Sequence, residues 1–217
     1  MSAGLRYKFA GSTVSVLTGY LGGSPLIDIS AITKANPAVV SATGHGLSDG
    51  DVVKITEVVG MTELNGKSFI VNVLSSSTFE LLDTDSSGYT AYSSGGKINP
   101  GVFGNLCELT NYNRQGGSSP EIPATTVCST AQEVEIGLPD FGTTQLSLNF
   151  APGSTTQAAL HDSYLDGSTV AVKVALPNSG GTLVQLGFVQ QESETAGVGG
   201  LWTSQVTIRN TGNRADF

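Results

Sequence analysis

Few side chains in this sequence are of types that do chemistry, and they are scattered. Histidine occurs only at His45 and His161. His45 stands between Gly44 and Gly46, as a turn residue does. His161 falls in the apolar sector of a candidate helix and reads as a satisfied, partly buried ring rather than a general base. Cys107 and Cys128 each lie near an apolar segment and read as small buried thiols, with a pairing between them left open. No Cys or His cluster has metal-ligand spacing, and neither a Gly-x-x-x-x-Gly-Lys-Ser/Thr loop nor a Gly-x-Ser-x-Gly elbow occurs. Asp49 and Asp51 flank Gly50 in what reads as a hairpin connection rather than a calcium loop. Glu133 and Glu135 alternate as on the solvated face of a strand. These residues point away from catalysis, and no cofactor or metal is expected.

The elements that carry them read mainly as β-strands. Leu146, Leu148 and Phe150 alternate with Gln145, Ser147 and Asn149; Val170, Val172, Val174 and Leu176 alternate with Thr169, Ala171, Lys173 and Ala175. Val184, Leu186 and Phe188 alternate with Gln185 and Gly187, and Trp202, Val206 and Ile208 with Thr203, Gln205, Thr207 and Arg209. Period two over consecutive segments predicts half-buried antiparallel strands, with a hairpin turn at 177–181. One helix is expected between the first two. Ser154 and Gln157 have capping-box spacing, Ala158, Leu160, Tyr164 and Leu165 share a face, and Asp166-Gly167 ends it. Shorter strands are expected at 13–17 and 105–112. The segment 113–139, rich in Gly, Ser and Pro, reads as a long loop holding a short edge strand at Val134–Ile136.

Composition narrows the class. Charged residues make up 13% of the 217 positions, against about 25% in ordinary soluble domains. A surface that poor in charge is covered by hydroxyls, amides and neighbouring subunits. The net charge of −8 opposes a protein that grips nucleic acid. No apolar run long enough for a membrane span occurs, and Met1–Phe9 lacks the apolar stretch of a secretory signal, so the chain is expected to stay where it is translated.

A segment from about Ile29 to Ile98 has its own strand-and-turn grammar: Ala38–Ser41, the Gly44-His45-Gly46 turn, Asp51–Thr56, Ser68–Leu74 and Thr78–Leu82. The runs Ala38–Ile55, Gly60–Phe69 and Ser77–Leu81 resemble the first catalytic-cysteine half-domain of ubiquitin-activating enzymes, a small β-barrel module that recurs in phage structural proteins. The segment contains no cysteine, so the resemblance implies no catalysis. The rest of the chain resembles the tail tube proteins of long-tailed phages with flexible tails, through 133–150, the helix, the hairpin around Pro177-Asn178 and the closing strand 204–209.

Together these resemblances imply a tail-tube-type β-sandwich with one packed helix (1–28 and 99–217) and an inserted β-barrel (29–98). They imply hexameric rings stacked into a tube through which DNA passes during genome delivery. Tape measure, tail terminator and tip proteins are the implied partners. The implied location is the virion tail, assembled in the host cytoplasm. The expected lumen-facing residues are Gln145, Ser147, Asn149, Thr169, Gln185, Thr203, Gln205 and Thr207. Lys173 and Arg209, the cations on these strands, are expected to be paired with carboxylates or turned to an interface. Ile122, Val127 and Ile136 are expected to stack against a neighbouring subunit. The module, bounded by Gly22-Gly23 and Gly95-Gly96, is expected to project outward and to be replaceable by a short linker. A minor tail or capsid decoration protein, or a host- or glycan-binding adhesin with the module as its binding unit, are the alternatives; an adhesin is expected to show an exposed aromatic cluster, which only Tyr89 and Tyr92 suggest in the module.

Overall fold

The computed structural model describes residues 6–22 and 26–217; Gly23 of the expected glycine junction lies outside the described residues. The fold is mainly β. Strand β1 is Thr13–Tyr20, followed by β2 (Ile27–Asp28), β3 (Ala31–Ile32), β4 (Ala38–Ser41), β5 (Val52–Val59), β6 (Ser68–Ser75) and β7 (Thr78–Leu81). Then come β8 (Ser94–Asn105), β9 (Leu109–Gln115), β10 (Glu121–Pro123), β11 (Val134–Ile136) and β12 (Thr143–Asn149). Helix α1 (Thr155–Asp166) precedes β13 (Thr169–Ala175), β14 (Thr182–Thr195) and β15 (Thr203–Asp216).

Thirteen strands form one continuous antiparallel sheet in the order β3-β4-β7-β6-β5-β8-β1-β13-β14-β15-β12-β9, with β2 paired to β8. The sheet wraps two main cores. One lies wholly between Ile29 and Ile98 and is built around Phe79, Ile55, Met61, Leu64 and Leu81, all fully buried. The other gathers Val14, Val16, Leu146, Leu148, Leu160, Val170, Val172, Val206 and Ile208 under the sheet formed by β1, β13, β14, β15 and β12. A third, smaller cluster joins them: Leu17, Ala171 and Val184 from one side meet Val52 and Ile70 from the other.

Strand β8 carries the join. Its first half pairs with β5 and its second half with β1. Its sequence, with Gly95, Gly96, Pro100, Gly101 and Gly104, gives little sign of a strand. The glycines admit close neighbours: a Cβ on Gly101 would sit 2.6 Å from Leu17 Cδ1 and 2.9 Å from the Val52 carbonyl oxygen. Polar latches add to the seam. Asp83 accepts from the Asn213 backbone N–H at 2.7 Å, and Lys173 pairs with Asp51 at 3.4 Å while lying over the Phe103 ring. The module is therefore seated on the sheet rather than tethered to it. Gly95 and Gly96, expected near a junction of the module, lie within β8.

The helix also departs from expectation. Gly167 ends it in the left-handed conformation, as its position suggests. Its buried residues, however, are Thr156, Gln157 and Leu160, while Tyr164 and Leu165 are exposed. Gln157 forms no capping box. It accepts from Ala151 N–H and donates to the Asn149 carbonyl, tying the helix to the end of β12.

Candidate functional site

The residues singled out on the late strands converge on one surface. Register places Gln145 opposite Thr207, Ser147 opposite Gln205 and Asn149 opposite Thr203. Side chains directly opposite in a ladder share a face. On one flank the face continues into β9, where Gln115, Asn113 and Asn111 stand opposite Thr143, Gln145 and Ser147. On the other it continues into β14, where Gln191, Ser193 and Thr195 stand opposite Thr207, Gln205 and Thr203. Phe188 and Thr169 extend the row that begins at Arg209. The result is a carpet of amides and hydroxyls. Its one cation, Arg209, is held by Asp140 at 2.9 Å, and Lys173 is likewise paired, as expected of both.

Gln185 does not belong to this carpet. It stands opposite Val172, a core residue, so the strand's alternation turns it inward, and it is only 3% exposed. There its Nε2 donates to the carbonyls of Leu186, Thr211 and Gly212, and its Oε1 accepts from Arg114. Val184 and Leu186, expected inside with the main core, face the module seam instead, and Phe188 is exposed. A polar residue inside an apolar run misled the alternation, because β14 is covered on both sides in this stretch. Trp202 is similarly displaced: it precedes β15, is exposed, and packs against Phe150, while Ser204 takes the buried position.

Asn111, Asn113, Gln115, Gln191, Ser193 and Thr195 were not singled out from the sequence. Their period-two spacing was the available signal. In β14 it was hidden by the bulge between Val189 and Gln191, which resets the alternation.

The carpet has two open edges. Among the described residues, strand β9 pairs only with β12, and β14 beyond Phe188 pairs only with β15. Between the ends of β9 and β12 the chain extends as a hairpin arm, β10 against β11. The expected edge strand at Val134–Ile136 is thus present, partnered by Glu121–Pro123. All of these arm residues are exposed, as are Val127 and Leu138. Register sets Ile122 opposite Glu135 and Ile136 opposite Glu121, so Ile122 and Ile136 point to opposite faces of the arm. A single flat partner surface cannot cover both.

The chemistry-bearing side chains are structural or exposed. His45 is buried: Nδ1 accepts from Leu47 N–H, which leaves Nε2 to donate to the Ser75 carbonyl, and its ring meets Phe79 edge-on. It is more than a turn residue. His161 is exposed rather than partly buried and pairs with Glu192 at 2.8 Å; that hydrogen bond and the Glu192 charge raise its pKa. Cys107 and Cys128 are free and exposed, not buried. Asp51 accepts from the Ser48 backbone N–H within the turn, and Asp49 from the Val73 backbone N–H of β6, so both carboxylates are structural. Among the described residues no group of three or more His, Cys, Asp or Glu could hold a metal, and no helix is long and apolar enough to cross a membrane. Tyr89 and Tyr92 pack against the module core, and the Tyr92 hydroxyl lies within hydrogen-bond distance of the Ile29 and Gly95 carbonyls, so they form no exposed aromatic patch.

Sheet, carpet and arm define a mainly-β protein with a seated β module and no assembled catalytic group among the described residues. Residues 35–100 match the model of the ubiquitin-activating enzyme E1 FCCH domain. Over 88 residues the chain is 42% identical to ubiquitin-like modifier-activating enzyme 1 of Oryctolagus cuniculus, covering 38% of this chain and 8% of the relative. The Homo sapiens protein of the same name is 40% identical over 88 residues, with the same coverage. The chain thus spans less than a tenth of the length of these relatives. Among solved structures, the tail of an empty gene transfer agent particle refined with C6 symmetry is similar at a TM-score of 0.43 and 13% identity, over 53% of this chain and 86% of that one. The SPP1 tail tube is similar at a TM-score of 0.43 and 10% identity, over 53% of this chain and 67% of that one.

Proposed function

We propose that this chain is a structural virion protein, a phage tail tube subunit whose hexameric rings stack into a channel for DNA. The observation that carries this reading is the amide-and-hydroxyl carpet with an open edge on each side. Joining β9 of one copy to the far half of β14 in the next removes both edges, which are otherwise an aggregation liability. Six such four-stranded units make a barrel of about 24 strands. With strands about 4.8 Å apart and tilted about 40°, its backbone diameter is roughly 48 Å. A carpet turned inward gives passing DNA no row of unpaired cations at which to stall.

On this reading Gln145, Ser147, Asn149, Thr169, Thr203, Gln205 and Thr207 face the lumen. Residues 1–28 and 99–217 are the tube domain, and 29–98 is an inserted module carried on the outer wall. The arm, with Ile122, Val127 and Ile136, lies between neighbouring copies, clasped on both faces. Tape measure and tail terminator or tip proteins are its partners on this reading, and the tube assembles in the host cytoplasm and resides in the virion tail. Analytical ultracentrifugation with negative-stain microscopy tests the reading. Rings and tubes at high concentration support it, and a monomer across all salt and protein concentrations refutes it.

A further inference from the structure

At the foot of the arm an open cleft of about 390 Å³ is lined by Arg114, Gly117, Ser118, Ser119, Asp140 and Asn213, among others. Arg114 donates from Nη2 to Gln185 Oε1 at 3.2 Å, but its buried Nε has no hydrogen-bond partner. Among the described residues no carboxylate lies within ion-pair distance of it. Nearby acids are committed elsewhere: Asp140 to Arg209 and the Gly142 N–H, Asp216 to Arg214 Nε and Nη2, and Asp83 to Asn213. Arg114 thus borders the cleft as a cation without a paired carboxylate, and a carboxylate entering the cleft can supply one.

The arm supplies acceptors of the right kind. From 115 to 139 its only charges are Glu121, Glu133 and Glu135. Glu133 lies nearest the tip, where its Oε2 accepts from Ser129 Oγ. Within one copy foot and tip are separated by the length of the arm, at most roughly 33 Å for about ten extended residues. A donor at one end and an acceptor at the other is a heterologous pair, the kind that propagates from copy to copy.

We propose that the Arg114 cleft receives the Glu133 carboxylate at the arm tip of a neighbouring copy. This rests on the tube reading and names the contact that the arm makes in it. Arg114 also supports Gln185 in the core, so the tests use exposed arm and cleft residues.

In a Cys107→Ser background, Ser118→Cys is oxidised after assembly. Native Cys128, next to Ser129 at the tip, is expected to join it in a disulfide ladder of multiple copies that Cys128→Ser abolishes. Glu133→Gln keeps the Ser129 contact and is expected to raise the concentration needed for assembly roughly tenfold or more, whereas Glu121→Gln changes it less than about twofold. Tubes that form without the ladder, or with no effect of Glu133→Gln, overturn this contact and leave the tube reading standing. Failure of the wild-type chain to assemble at all overturns both.

Discussion

The segments 29–98 and 116–142 are opposite kinds of structure. The first closes a core of its own, with Phe79, Ile55 and Leu81 wholly removed from water, and then buries a second surface against Leu17, Ala171 and Val184. The second closes nothing: its two short strands pair only with each other, and Ile122, Val134, Ile136 and Leu138 all remain in solvent. A two-stranded hairpin is marginal in water because it cannot offset its own ordering entropy. What looks like an appendage in the sequence is part of the body, and what looks like a loop is a hairpin arm that nothing in its own copy covers.

The largest expected effect breaks the first half of that comparison. Replacing 29–98 by a short linker cuts β8 in the middle and uncovers the Leu17 seam, so soluble folded protein is expected to disappear, as judged by circular dichroism and gel filtration. Removing 118–139 instead is expected to leave the monomer folded and to abolish assembly. Next in size, Leu17→Ala is expected to cost about 2–4 kcal/mol in urea unfolding, the usual penalty for truncating a buried leucine. Ile136→Ala in the arm is expected to stay within about 0.5 kcal/mol, as for exposed substitutions generally. Proteolysis sharpens the second half: cleavage within 120–138 is expected to be fast in the monomer and slow in tubes, while the seam resists in both. Equal arm cleavage in the two states would remove the arm from the interface.

The smallest effect concerns His161, exposed on α1 beside Glu192. Its folded pKa is raised above the ordinary value of 6.5, so the stabilisation from this pair is fully present below that pH and is lost as pH rises through the folded value. Proton NMR titration is expected to show the raised midpoint, and Glu192→Gln to return it toward the ordinary value.

Much of this was legible in the residues. Alternation found β12, β13 and β15 and most of the carpet, because Gln145, Ser147, Gln205 and Thr207 sit on strands with one covered face. It failed where both faces are covered, at Gln185, and where glycine replaces side chains that would show a period, in β8. The exposed Tyr164 and Leu165 were invisible for a related reason: spacing reports which residues share a face, but not whether another element covers it. The edges of the sheet could not be read at all, since pairing between distant strands leaves no local mark.

The central claim is that the carpet lines a closed channel. Cryo-electron microscopy of tubes grown from the purified chain tests it most directly. The expected map is a hollow tube with Gln145, Ser147, Gln205 and Thr207 facing the lumen, β9 paired to the far half of β14 in the next copy, and the module outside. Tubes in which the carpet faces outward, or in which β9 and β14 keep open edges, would contradict the account.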